Sequence, residues 1–224
     1  MKVLNQLDIA SVIDHTLLRP DATYAGIKRL CEEAIHFGFY SVCINPCFIE
    51  MAKELLKGSN VRVTTVIGFP LGMNSSEIKV YESMNVSLLG ADELDIVVNI
   101  GALKSGDWDT VRKDLSDVIM ATKRLIHKII IETGYLDDNE KRKVVEIALD
   151  AGSEFIKTST GFGPQGAKIK DVRLIKSIVG DAAGIKAAGG IRTPRRVIDM
   201  LKAGATRIGT SSGVKIMREF KKGQ

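Results

Sequence analysis

Four stretches of the chain repeat one pattern of apolar and polar positions: an amphipathic run, a glycine, then a short alternating run. They are Ala34-Ile35-His36-Phe37-Gly38 leading to Tyr40-Ser41-Val42-Cys43-Ile44, and Ser87-Leu88-Leu89-Gly90 leading to Asp92-Glu93-Leu94-Asp95-Ile96. The other two are Ala148-Leu149-Asp150-Ala151-Gly152 leading to Glu154-Phe155-Ile156-Lys157-Thr158, and Leu201-Lys202-Ala203-Gly204 leading to Thr206-Arg207-Ile208-Gly209-Thr210. Each reads as a helix end, a left-handed glycine that stops the helix, and a strand. The glycines lie 52, 62 and 52 residues apart. A strand–helix unit in a barrel of this length takes about 28 residues, so each spacing holds two units.

The intervening strands fall at 12–14, 61–67, 127–133 and 184–187, with helical patterns between, as at 23–37, 108–125 and 139–151. Eight strand–helix units in succession predict an α/β fold, a single (β/α)8 TIM barrel over residues 1–224, with room for a short N-terminal helix. A doubly wound open sheet is the competing fold. The even spacing and the count of eight favour the closed barrel.

Alternation assigns the faces of the strands. In the fourth, Leu94, Ile96 and Val98 share the face that must meet helices, so Glu93, Asp95, Val97 and Asn99 point into the barrel. The position five residues past each repeat glycine is Cys43, Asp95, Lys157 and Gly209. Alternate strands build one interior layer, so these four are expected to share one, with Asn45, Val97, Ser159 and Ser211 above them toward the mouth. Such a layer is normally apolar. A carboxylate, an amine and a thiol there read either as a buried ion pair or as chemistry, and buried ion pairs seldom repay their desolvation. Lys186, on the neighbouring seventh strand, alternates inward as well. A second cation beside Lys157 disfavours charging both amines, which is one way to make an amine nucleophilic near neutral pH. Asp95 is then placed to move protons. After strands seven and eight come Ala188-Gly189-Gly190-Ile191-Arg192-Thr193 and Gly209-Thr210-Ser211-Ser212-Gly213, glycine-rich loops where such barrels hold phosphate.

Composition narrows the picture. Hydrophobic residues make up 45% and charged residues 26%, as in an ordinary globular chain. No run approaches the ~18 apolar residues of a membrane span, and residues 1–14 lack a signal-peptide core, so a cytoplasmic protein without membrane partners is expected. The net charge of +5 suits an anionic small molecule. The cations are interspersed with Asp and Glu, which does not make a nucleic-acid face; only the tail (Lys215, Arg218, Lys221, Lys222) is locally basic, as the end of a last helix. Cys31, Cys43 and Cys47 suggest no disulfide, and His15, His36 and His127 have no metal-ligand spacing, so neither metal nor cofactor is expected.

Phe155-Ile156-Lys157-Thr158-Ser159-Thr160-Gly161 and Lys186-Ala187-Ala188-Gly189-Gly190-Ile191-Arg192-Thr193 resemble the two lysine motifs of the deoxyribose-phosphate aldolase family. Asp92-Glu93-Leu94-Asp95-Ile96-Val97, Ile13-Asp14-His15-Thr16-Leu17, Cys43-Ile44-Asn45-Pro46, Gly68-Phe69-Pro70-Leu71-Gly72 and Ile131-Glu132-Thr133 extend the resemblance over essentially the whole chain. The resemblance implies reversible cleavage of 2-deoxy-D-ribose 5-phosphate to D-glyceraldehyde 3-phosphate and acetaldehyde. It implies Lys157 as the imine-forming nucleophile, Lys186 as its perturbing neighbour and Asp95 as proton relay. Asp14, Thr16, Cys43 and Thr160 would line the substrate site, and Gly189, Gly190, Ser211 and Ser212 would surround the phosphate. A homo-oligomer, dimer or higher, is expected.

Three positions depart from the family pattern. Phe162 stands where some members carry a lysine near the phosphate, the tail from Arg218 to Gln224 has no tyrosine, and Lys168 stands where many carry threonine. Alternatives are another Schiff-base barrel lyase, a phosphate-sugar isomerase on a similar barrel, or a non-catalytic metabolite-binding barrel. An isomerase has no need of two facing lysines.

Overall fold

The computed structural model describes residues 9–222. Eight parallel strands close into a barrel in chain order: β1 (Ile13–Leu17), β2 (Ser41–Ile44), β3 (Arg62–Ile67), β4 (Glu93–Val97), β5 (Ile126–Ile130), β6 (Phe155–Lys157), β7 (Gly184–Ala188) and β8 (Arg207–Thr210). β8 returns to β1 with Asp14 opposite Gly209, so no strand edge is left open. Helices follow the strands, among them Tyr24–Phe37, Ser76–Leu88, Trp108–Ala121, Asp138–Asp150, Ile169–Val179, Pro194–Ala203 and Gly213–Lys222.

The outward side chains of the strands, such as Ile44, Ile67, Leu94, Ile96, Ile129, Ile156, Ile185 and Ile208, meet the helices in one continuous buried core. The repeat glycines Gly38, Gly90, Gly152 and Gly204 all have positive φ (67°, 98°, 94° and 115°), so each helix turns into its strand through a backbone shape that L residues avoid.

Several boundaries differ from the expectation. β1 starts one residue later than expected and runs on to Leu17. Two of its three added positions, His15 and Thr16, are polar, which hid the end of the strand in a hydrophobicity pattern. β5 ends at Ile130, because Glu132 takes a left-handed backbone (φ 41°) and Thr133–Tyr135 form a 3-10 turn. The helix expected over 108–125 stops at Ala121, where the Thr122 hydroxyl bonds back to the Val118 carbonyl. Lys168 is the N-cap of Ile169–Val179 and makes no side-chain cap bond. Ile9 and Ala10, the first described residues, are helical; the rest of the expected N-terminal helix lies outside the described residues.

Candidate active site

The expected layer is present and is one of three polar layers. Inside the barrel, β2, β4, β6 and β8 contribute Ser41, Glu93, Phe155 and Arg207 at the lower level and Cys43, Asp95, Lys157 and Gly209 at the upper. Strand register interleaves Asp14, Thr64, Lys128 and Lys186 between them: Lys186, for example, lies opposite both Lys157 and Arg207. Asp14 lies opposite Ser41 and Gly209, Thr64 opposite Cys43 and Glu93, and Lys128 opposite Asp95 and Phe155.

Asp95 is the hub. Its Oδ2 accepts from Lys157 Nζ and from Lys186 Nζ, each at 2.7 Å, and its Oδ1 accepts from Lys128 Nζ at 2.9 Å. The Cys43 thiol points at the same carboxylate from 3.8 Å. Lys186 Nζ also lies 2.6 Å from Asp14 Oδ2, and Arg207 joins Asp14 (2.9 Å) to Glu93 (3.2 Å). Lys128 closes the ring on Glu93 at 2.7 Å. Gly209 leaves the space that Lys186 uses: a methyl there would sit 3.1 Å from Lys186 Cε and 3.0 Å from the Ala188 methyl.

Burial on its own would raise Asp95, but Lys128, Lys157 and Lys186 outweigh it and hold the carboxyl well below the usual range. Asp14 behaves alike: burial opposes ionisation, and Lys186, Arg207 and Lys128 overcome it. Burial likewise acts to discharge Lys186, yet the carboxylates of Asp14 and Asp95 push it well above an ordinary lysine, so it stays an ammonium. Burial pushes the Cys43 thiol up, so it stays protonated.

Lys157 differs from Lys186 in one decisive way. A cavity of about 340 Å³ opens at the C-terminal mouth of the barrel, and Lys157 is on its wall while Lys186 is not. Thr16, Thr160, Gly189, Gly190, Ser211, Phe162, Arg19 and Arg192 share that wall. Gly189 and Gly190 have φ of 92° and 76°, and the first is fixed by its carbonyl accepting from Ala167 N–H at 3.0 Å. The hydroxyl of Thr210 bridges the last two loops, donating to the Ile191 carbonyl (2.6 Å) and accepting from Ser212 N–H (2.9 Å). Asp14 and Cys43 lie beneath the cavity rather than on its wall. Asp14 is drawn down by Lys186 and Arg207, and Cys43 is covered by packing with Leu18 and Val66. Ser212 lines the adjoining hollow. A larger hollow of about 660 Å³ between the helices Tyr24–Phe37 and Gly213–Lys222 touches no interior residue of the barrel.

Lys128, Arg207 and Arg19 were not foreseen as site residues. Lys128 was legible in principle: in Ile126-His127-Lys128-Ile129-Ile130 it alternates inward, and it faces Asp95 across the β4–β5 pairing. Arg207 sits two residues before Gly209 on the same inward face. Arg19 lies in the loop after β1, where alternation gives no signal.

A closed barrel with two lysines meeting on one carboxylate at the floor of its mouth has the make-up of an aldolase-type lyase. The comparisons specify the family. The family model for DeoC/LacD family aldolases matches residues 8–219, and the chain belongs to that family. It is 52% identical over 219 residues to a deoxyribose-phosphate aldolase of Caldanaerobacter subterraneus subsp. tengcongensis, covering 96% of this chain and 95% of the relative. It is 53% identical over 215 residues to one of Thermococcus gammatolerans, covering 94% and 96%. Among solved structures, an aldolase named QR15 superposes with a TM-score of 0.92 at 43% identity, covering 96% of each chain. The tetrameric deoxyribose phosphate aldolase of Aeropyrum pernix superposes with a TM-score of 0.90 at 34% identity, covering 97% of this chain and 92% of that one. This chain is an aldolase, a carbon–carbon lyase. Among the described residues, no helix is long and apolar enough to cross a membrane.

Proposed function

We propose that the protein cleaves 2-deoxy-D-ribose 5-phosphate reversibly to D-glyceraldehyde 3-phosphate and acetaldehyde, with Lys157 as the nucleophile. The observation that carries this reading is the difference between the two lysines: Lys157 reaches the cavity, while Lys186 is held below it between the carboxylates of Asp14 and Asp95. Charge balance supports it. Four buried cations (Lys128, Lys157, Lys186, Arg207) face three buried carboxylates (Asp14, Glu93, Asp95), so the interior holds one cation in excess, and Lys157 is the one at the cavity.

The neutral amine attacks the aldehyde carbon of the open-chain sugar, and loss of water gives the iminium. Removal of the proton from the C3 hydroxyl breaks the C2–C3 bond, with the electron pair drawn to the iminium. D-glyceraldehyde 3-phosphate leaves, the enamine takes a proton on carbon, and water releases acetaldehyde and restores Lys157. Asp95, with water, carries the protons. While the Lys157 nitrogen is neutral, as amine, carbinolamine or enamine, Asp95 loses one of three cations holding it acidic and its proton affinity rises; the iminium restores that cation. The turn at Gly189 and Gly190, with Ser211, holds the phosphate through backbone N–H groups. Arg192, on the cavity wall, supplies the charge absent at Phe162, whereas Arg19 is paired to Asp21. Ser212 completes the cradle from the adjoining hollow.

The working form is a homo-oligomer, a reading supported by the tetrameric relative from A. pernix and by the exposed apolar stripe Ile78, Tyr81, Met84 and Leu88 on one helix. It works in the cytoplasm, in keeping with its three free thiols. The direct test is to supply 2-deoxy-D-ribose 5-phosphate and follow both products. Equal release of acetaldehyde and D-glyceraldehyde 3-phosphate is expected; rearrangement without acetaldehyde would make it an isomerase.

A further inference from the structure

Glu132 is a buried carboxylate with no part in the chemistry above. It follows β5, it is 1% exposed, and it is the one non-glycine residue with positive φ among the described residues. Its Oε2 accepts from the Thr160 N–H at 3.1 Å and from the Thr160 hydroxyl in a short hydrogen bond. Its Oε1 has no partner. A left-handed backbone and a half-satisfied buried carboxylate both cost folding free energy, and residues kept at such a cost cluster at functional sites. Space has been cleared for it as well: a methyl on Gly163 would lie 2.6 Å from Glu132 Cδ and 2.8 Å from each of its oxygens.

The consequence is at Thr160, on the cavity wall. A threonine hydroxyl has one proton and two lone pairs. The proton goes to Glu132, and one lone pair accepts from the Phe162 N–H at 3.0 Å. What remains for the cavity is a single lone pair. Thr160 can accept a hydrogen bond from a ligand and cannot donate one. It therefore favours a hydroxyl and turns away a carbonyl or phosphate oxygen, which have no proton to give.

We infer that Glu132 is a positioning residue that sets the polarity of Thr160, making it an acceptor for a hydroxyl of the phosphorylated aldehyde. The inference rests on the aldolase reading and names what selects that half of the substrate. Replacing Glu132 by leucine removes the acceptor altogether, which frees the Thr160 proton to turn into the cavity.

The test is condensation of acetaldehyde with two acceptors: D-glyceraldehyde 3-phosphate and 3-hydroxypropanal phosphate, which lacks the hydroxyl beside the carbonyl. In Glu132→Leu, kcat/KM for D-glyceraldehyde 3-phosphate is expected to fall about tenfold, the worth of one hydrogen bond, and that for the deoxy acceptor by less than about twofold. Gly163→Ala, which displaces the carboxylate without removing it, is expected to change the ratio in the same direction. Borohydride trapping of acetaldehyde on Lys157 reports that each variant keeps a folded, reactive site. An unchanged ratio in a variant that still traps acetaldehyde overturns the role of Glu132. A wild-type protein that condenses neither acceptor overturns the aldolase reading itself.

Discussion

At the scale of single residues, the chemistry turns on which of two adjacent lysines keeps its proton. Lys186 is pinned between Asp14 and Asp95 and stays charged, whereas Lys157 shares only Asp95 and faces the cavity. Lys186→Leu removes one of four interior cations, leaving three against three carboxylates and no cationic neighbour for Lys157 on β7. The acid limb of the pH–rate profile is expected to move to higher pH, and an unmoved limb would remove Lys186 from the control of Lys157. Asp95→Asn is expected to cut kcat by roughly 10²- to 10⁴-fold as the proton relay is lost. It leaves three lysines without their shared carboxylate, so stability is expected to fall by about 3–5 kcal/mol in urea unfolding. A variant as stable and active as the parent would contradict both roles.

At the scale of elements, the two loops after β7 and β8 and the loop after β6 form one rim, tied by Ala167 to the Gly189 carbonyl and by Thr210 to the Ile191 carbonyl and Ser212 N–H. Gly189 has φ 92°, and a methyl there would sit 2.9 Å from Gly166 Cα, so Gly189→Ala strains the rim. The expected result is a raised KM for the phosphosugar with trapping of phosphate-free acetaldehyde preserved. Loss of both would mean that the substitution disturbs the barrel floor. The strands and the layer Cys43, Asp95, Lys157 and Gly209 were legible because a helix-ending glycine sets the same register four times. Less legible was what lies between repeats. Lys128 alternates inward from a strand dominated by its isoleucines, and β1 hides because its inward residues are polar. The left-handed turn at Glu132 carries no glycine or asparagine to announce it. Whether Asp14 and Cys43 reach the cavity or lie below it depends on strand stagger, which periodicity alone does not supply.

At the scale of the whole molecule, the barrel inverts the usual arrangement at its lower interior: charge lies inside the strands, and the apolar core lies between strands and helices. Apolar burial thus comes from the outer shell, while the interior holds its charges only as long as each keeps its partner. Two buried histidines in that shell give a pH signature. Burial lowers His15 despite Glu33, and burial lowers His127 despite Glu154. With folded-state values below the ordinary value of about 6.5, the unfolded chain takes up protons first as pH falls through and below that value, and stability declines. Urea unfolding is expected to show lower stability at about pH 5.5 than at about pH 7.5, with a smaller difference in His127→Gln. A difference unchanged by that substitution would remove His127 from the effect.

The central claim is that Lys157, and not Lys186, carries the substrate. Borohydride reduction in the presence of 2-deoxy-D-ribose 5-phosphate, followed by peptide mass mapping, reads this directly. A reduced adduct on Lys157, absent in Lys157→Met, is the result the account predicts; an adduct on Lys186, or none on a protein that still releases acetaldehyde, would contradict it.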